Sequence, residues 1–126
     1  MDYFQPVQVK KGYNRDIDPQ ILYPDENGNI TIEINELDPI EIYLPDPFES
    51  LSTDWHGYQV IGDRLKAFPI GSSFNAREGV FSWQPGPGFM GVYELLFITR
   101  TGSGETERKP ITIKISPELT RAGENK

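Results

Sequence analysis

Glycine and proline cut this chain into short runs, and most of those runs alternate apolar and polar residues with period two. The 126 residues include 12 Gly and 11 Pro. Proline breaks helices and glycine marks turns, so the punctuation leaves little room for long helices. No segment carries an apolar stripe of period 3.6 over helical length. The runs read as half-buried strands, whose side chains point alternately to opposite faces. Ile30, Ile32 and Ile34 point one way, with Thr31, Glu33 and Asn35 opposite. Ile40, Ile42 and Leu44 repeat this, as do Ile111, Ile113 and Ile115. Phe81 and Trp83 share a face against Val80, Ser82 and Gln84. The run Tyr93 to Thr99 is apolar on both faces, which predicts a central strand. Asn27-Gly28 and Gly62-Asp63 are two-residue hairpin signatures, since Gly supplies positive φ without a Cβ clash. Asp25-Glu26-Asn27-Gly28-Asn29 is read as such a turn and not as a calcium loop. Strands spaced 8–12 residues apart with turn signals between them predict a β-sandwich.

Composition narrows the chemistry. The length suits one domain with a core of its own. There is no cysteine, so disulfides and thiolate metal sites are excluded. The single histidine, His56, excludes a multi-histidine metal site. The net charge of −7 argues against nucleic acid and against anionic membrane surfaces. No apolar run approaches the roughly 20 residues that a spanning helix needs, so no membrane insertion is expected. Met1-Asp2-Tyr3-Phe4 lacks the basic start and apolar core of a signal peptide. Nucleophile-elbow, phosphate-loop and zinc-protease motifs are absent from the sequence. A non-enzymatic module is expected, with no catalytic residues.

Acidity is unevenly placed. Residues 1–63 hold 13 acids and 3 bases, whereas residues 64–126 hold 6 acids and 9 bases. Acids in turns and on solvent faces account for this. A hard-cation site is the alternative, because Ca²⁺ takes several carboxylate and carbonyl oxygens. Its candidates are Asp16, Asp18, Asp46, Glu49 and Asp54, should their loops meet at one pole. Phe48, Trp55 and Tyr58, with His56, form an aromatic cluster in a polar stretch. It reads either as a loop tucked over the sandwich edge or as a binding patch for carbohydrate or protein, with Trp55, Tyr58 and Phe48 as anchors.

Pro69-Ile70-Gly71-Ser72-Ser73-Phe74-Asn75 leads into Gly79, Phe81, Trp83 and Pro85. The corner Gly86-Pro87-Gly88-Phe89 follows, then Gly91, Tyr93 and Phe97. This pattern resembles the bacterial immunoglobulin-like and cadherin-like domain family over about residues 65–115. The resemblance implies an immunoglobulin-like or cadherin-like sandwich of seven to nine strands in two antiparallel sheets. Trp83 would plug the inter-sheet space that a disulfide fills elsewhere, and Tyr93 would occupy a tyrosine corner. The Asn-Asp-Asn run of cadherin calcium linkers is absent, so no cofactor is expected beyond the calcium alternative. The resemblance further implies a structural or adhesion module of a larger secreted or cell-surface protein. Its partners would be neighbouring modules, other surface proteins or glycans. A carbohydrate-binding module, or an accessory domain of a secreted hydrolase, is the alternative.

Gln5-Pro6-Val7-Gln8-Val9-Lys10 is similar to Lys109-Pro110-Ile111-Thr112-Ile113-Lys114. Residues 1–12 are therefore expected to be a leader or the last strand of a preceding module. The sandwich is expected over 13–116, with a polar tail or linker over 117–126.

Overall fold

The alternating runs resolve into ten strands, β1 (Val7–Lys11), β2 (Gln20–Leu22), β3 (Ile30–Asn35), β4 (Ile40–Tyr43), β5 (His56–Ile61), β6 (Arg64–Lys66), β7 (Ser73–Asn75), β8 (Val80–Trp83), β9 (Gly91–Arg100) and β10 (Thr106–Ser116). They are seen in a computed structural model that describes residues 5–12, 16, 18–45, 55–100 and 106–117. No helix occurs among the described residues, so none is long and apolar enough to cross a membrane. The strands form two five-stranded sheets, ordered β2-β1-β4-β8-β7 and β3-β10-β9-β5-β6. The chain is an all-β sandwich.

The core follows from the alternation. Val7, Val9, Ile40, Ile42, Phe81 and Trp83 are buried on one sheet. Ile30, Ile32, Leu95, Phe97, Ile111 and Ile113 are buried on the other. β9 is the middle strand of its sheet, as its two apolar faces predict. The Pro85–Gly88 corner joins β8 of one sheet to β9 of the other. Gly62-Asp63 forms the two-residue β5–β6 hairpin, with Ile61 opposite Arg64. Gly62 has φ 64, and among the described non-glycine residues only Leu37 has a positive φ, so the turn is of type II′.

Aromatic rings fill two regions of the interior. Phe68 sits 5.0 Å from Phe81, 5.5 Å from Phe97 and 5.6 Å from Phe74. Trp83 meets Tyr93 edge-on at 5.1 Å and Phe89 at 5.8 Å. Its buried indole N–H has no hydrogen-bond partner among the described residues. Gly57 on β5 lies directly over the Phe68 ring, where a Cβ would overlap it. Gly57→Ala is expected to lower stability by about 1–3 kcal/mol through this overpacking, measured by urea unfolding.

Several sequence expectations are corrected here. Within the stretch 1–12, expected to be a leader or the last strand of a preceding module, the described Val7–Lys11 is a strand of this sandwich. β1 lies between β2 and β4, with Gln8 opposite both Ile21 and Tyr43. Its Val7 and Val9 side chains are part of the core. The sheets are not wholly antiparallel, because β3 runs parallel to β10, with Ile32 opposite Ile113. Asn27-Gly28 does make a tight turn, but not a hairpin. Asp25 closes it, its Oδ1 accepting from Asn27 N at 2.8 Å and Asn29 N at 3.0 Å. The flanking β2 and β3 then enter different sheets. Ten described strands replace the seven to nine expected, since the short β2, β6 and β7 each add an edge.

The β3 edge is guarded. Lys11 Nζ donates to the Glu33 carbonyl at 3.1 Å, and Asn35 N donates to Asp38 Oδ2 at 3.3 Å. Backbone groups that would otherwise template another strand are thereby engaged. Leu37, in the turn that follows, is held at φ 75. Its N–H donates to Pro85 O at 2.9 Å, and its carbonyl accepts from Gln84 Nε2 at 3.0 Å. The strain is thus anchored on the Pro-Gly corner. Pro110 sits inside β10, one position before pairing with β3 begins at Ile111. A residue without an N–H is tolerated at such a margin.

Candidate functional site

Of the two readings of the aromatic cluster, the burial of Trp55 fits a segment tucked onto the sandwich. Trp55 is 3 % exposed and belongs to the core. Its backbone N–H donates to Ala76 O at 3.0 Å, which docks it on the β7–β8 turn. A Cβ on Gly79 would lie 3.0 Å from the indole Cδ1, so the ring covers that glycine. Tyr58 pairs with Leu96, whose neighbours Leu95 and Phe97 are buried, so Tyr58 lies on the outer face. Trp55 and Tyr58 therefore serve opposite sides of the sheet. Phe48 lies outside the described residues.

The calcium candidates divide similarly. Asp16 and Asp18 are exposed. Asp46, Glu49 and Asp54 lie outside the described residues. Among the described residues, no group of three or more His, Asp or Glu side chains is placed to hold a metal ion.

The other sheet carries a surface that the sequence reading missed. Register places Ile21 on β2, Gln8 on β1 and Tyr43 on β4 in one row. Their neighbours Leu22, Val7, Val9 and Ile42 pack inward, so this row faces out. Neighbouring strands lie about 4.8 Å apart, so the row spans roughly 10 Å. One step along the same strands lie Tyr23, Pro6 and Pro45. Together with Gln5 and Leu44 these residues line a groove of about 440 Å³. Tyr23 is 70 % exposed and Ile21 is 54 % exposed. The Tyr43 hydroxyl donates to Glu41 Oε1 at 2.7 Å, which fixes the phenol ring. The signal available in sequence is Tyr43 in phase with the outward positions of its strand, but which strands adjoin is not a local property.

A buried polar group lies elsewhere. Lys109 is fully buried on the inward face of β10, and its Nζ donates to the Gln5 carbonyl at 2.7 Å. Thr99 and Glu107, paired across β9 and β10, are buried beside it. Lys109 thus fastens the segment leading into β1 to the opposite sheet.

No protein-family model matches the chain, and no curated protein matches it significantly.

Proposed function

We propose that this chain is a non-catalytic, immunoglobulin-like structural or adhesion module of a larger secreted or cell-surface protein. The observation that carries the reading is the strand order. β1-β4-β8-β7 faces β10-β9-β5-β6, which corresponds to the A-B-E-D and G-F-C-C′ sheets of immunoglobulin-type sandwiches. The chain path supports the same reading. Gln5 lies by Lys109, while Gly12 and Ser116 line one cleft at the far end of β10. Entry and exit are therefore at opposite poles, separated by roughly 24 Å of strand. A rigid body threaded this way sets a fixed spacing between whatever precedes and follows it. Four described ionisable groups are used for architecture: Asp25 closes a turn, Lys11 and Asp38 guard an edge, and Lys109 ties two sheets together.

Location on intact cells of the native host tests this. Antibodies raised against the folded chain are expected to label unpermeabilised cells or to recover the antigen from the medium. Antigen found only after lysis would sink the reading.

A further inference from the structure

The exposed side chains of the Tyr23–Tyr43 groove, Ile21 and Tyr23, lie outside the core. β2 sends Leu22 alone into the core and turns Ile21 outward, and Tyr23 beyond it is also exposed. A three-residue edge strand that contributes one core side chain is a poor stabiliser. What it does accomplish is to hold two apolar surfaces beside β1.

We propose that this groove binds a neutral polysaccharide, with the ring of Tyr23 as the stacking platform and Tyr43 as the fixed opposite wall. A sugar ring has an apolar C–H face and a hydroxyl-rich edge, and the lining matches both. Tyr23, Ile21, Pro6 and Pro45 supply flat apolar surface, and Gln5 and Gln8 supply amide donors and acceptors. None of the described lining residues carries a charge at neutral pH, so a charged ligand would find no counter-charge among them. Acidic glycans are further disfavoured by the excess of acids over bases in residues 1–63. The Glu41 carboxylate already accepts from Tyr43, so that wall is ordered before binding and loses little freedom on contact. This site goes beyond the spacer reading and stands or falls separately from it.

Native gels cast with xyloglucan, galactomannan, arabinoxylan or mixed-linkage β-glucan test the proposal on the full chain, with polygalacturonate as the charged control. Retardation is expected in at least one neutral gel and not in polygalacturonate. Tyr23→Ala is expected to weaken it at least about tenfold, the loss typical of a principal binding residue. Because that ring is exposed, the melting temperature should stay close to that of the parent. Tyr43→Phe keeps the ring, removes its hydrogen bond to Glu41 and is expected to weaken binding by only about threefold, as loss of one modest hydrogen bond would. Ile70→Ala, on an exposed turn elsewhere, is expected to change nothing. Absence of retardation in every neutral gel would overturn the proposal, as would retardation that Tyr23→Ala leaves intact. Tyr23-dependent binding of a labelled decaproline without polysaccharide retention would assign the groove to a peptide instead. In each of those cases the surface-labelling result is unaffected, so the two readings fail independently.

Discussion

A chain that begins at Gly12 is expected not to fold. Such a truncation removes all of β1, which lies inside its sheet between β2 and β4. Val7 and Val9 are each only 1 % exposed. Burying a valine contributes about 1.5–3 kcal/mol, so the pair alone accounts for several kcal/mol. The ladders from β1 to β2 and β4 go with it, and β2 is left with no partner in its sheet. Lys109 also loses its hydrogen bond to the Gln5 carbonyl, and a bond to a charged group contributes about 1.5–3 kcal/mol. Domains of this size are stable by only about 5–15 kcal/mol in total. Near-ultraviolet circular dichroism and urea unfolding of the truncated chain are expected to show no cooperative transition. A transition with the parent's urea dependence would instead return residues 1–12 to the status of a dispensable leader. Lys109→Met separates one contribution from the rest. It keeps side-chain volume but abandons the Gln5 carbonyl, and is expected to cost about 1–3 kcal/mol without preventing folding.

The alternation of Ile30 to Asn35, of Ile40 to Tyr43 and of Ile111 to Ser116 was enough to place strands and their inward faces. Each strand buries one side, and a one-residue slip would expose every isoleucine. The Pro85–Gly88 corner was legible because proline cannot continue a ladder. What was not legible is which strand lies beside which. β1 and the Lys109–Lys114 stretch look alike because both are strands with a buried face, and that likeness says nothing of module boundaries. Asn27-Gly28 reads locally as a hairpin, yet the chain leaves its turn for the other sheet, where β3 finds β10 at a sequence separation of some eighty residues. Tyr23 follows a three-residue strand and precedes Pro24, so alternation is too short there to assign it a face. Its place in a groove depends on β1 and β4, which only the register brings alongside.

Trp55 is the residue for which the sequence leaves two readings open, and its burial predicts a large effect. Replacing Trp55 by alanine is expected to lower stability by about 3–5 kcal/mol, the cost of a cavity the size of a core aromatic ring. It stands just before β5, outside any alternating run, so no period could fix its direction. Among aromatic residues in a polar stretch it fits either a loop tucked over the sandwich edge or an exposed anchor. The missing information was its partner, Gly79, twenty-four positions away. That glycine has φ 71, a conformation most side chains avoid, and it lies beneath the indole and Leu44. Gly79→Ala therefore carries two penalties, backbone strain of about 1–2 kcal/mol and steric compression of about 1–3 kcal/mol. Only the second depends on Trp55. In the double variant the alanine methyl enters space the indole has vacated, so the combined loss should fall short of the sum by about 1–2 kcal/mol. Urea unfolding of the two single variants and the double variant measures that coupling. If Trp55→Ala costs less than about 1 kcal/mol and the coupling is zero, the ring is not packed on Gly79, and the exposed aromatic patch returns as the place to look for a ligand.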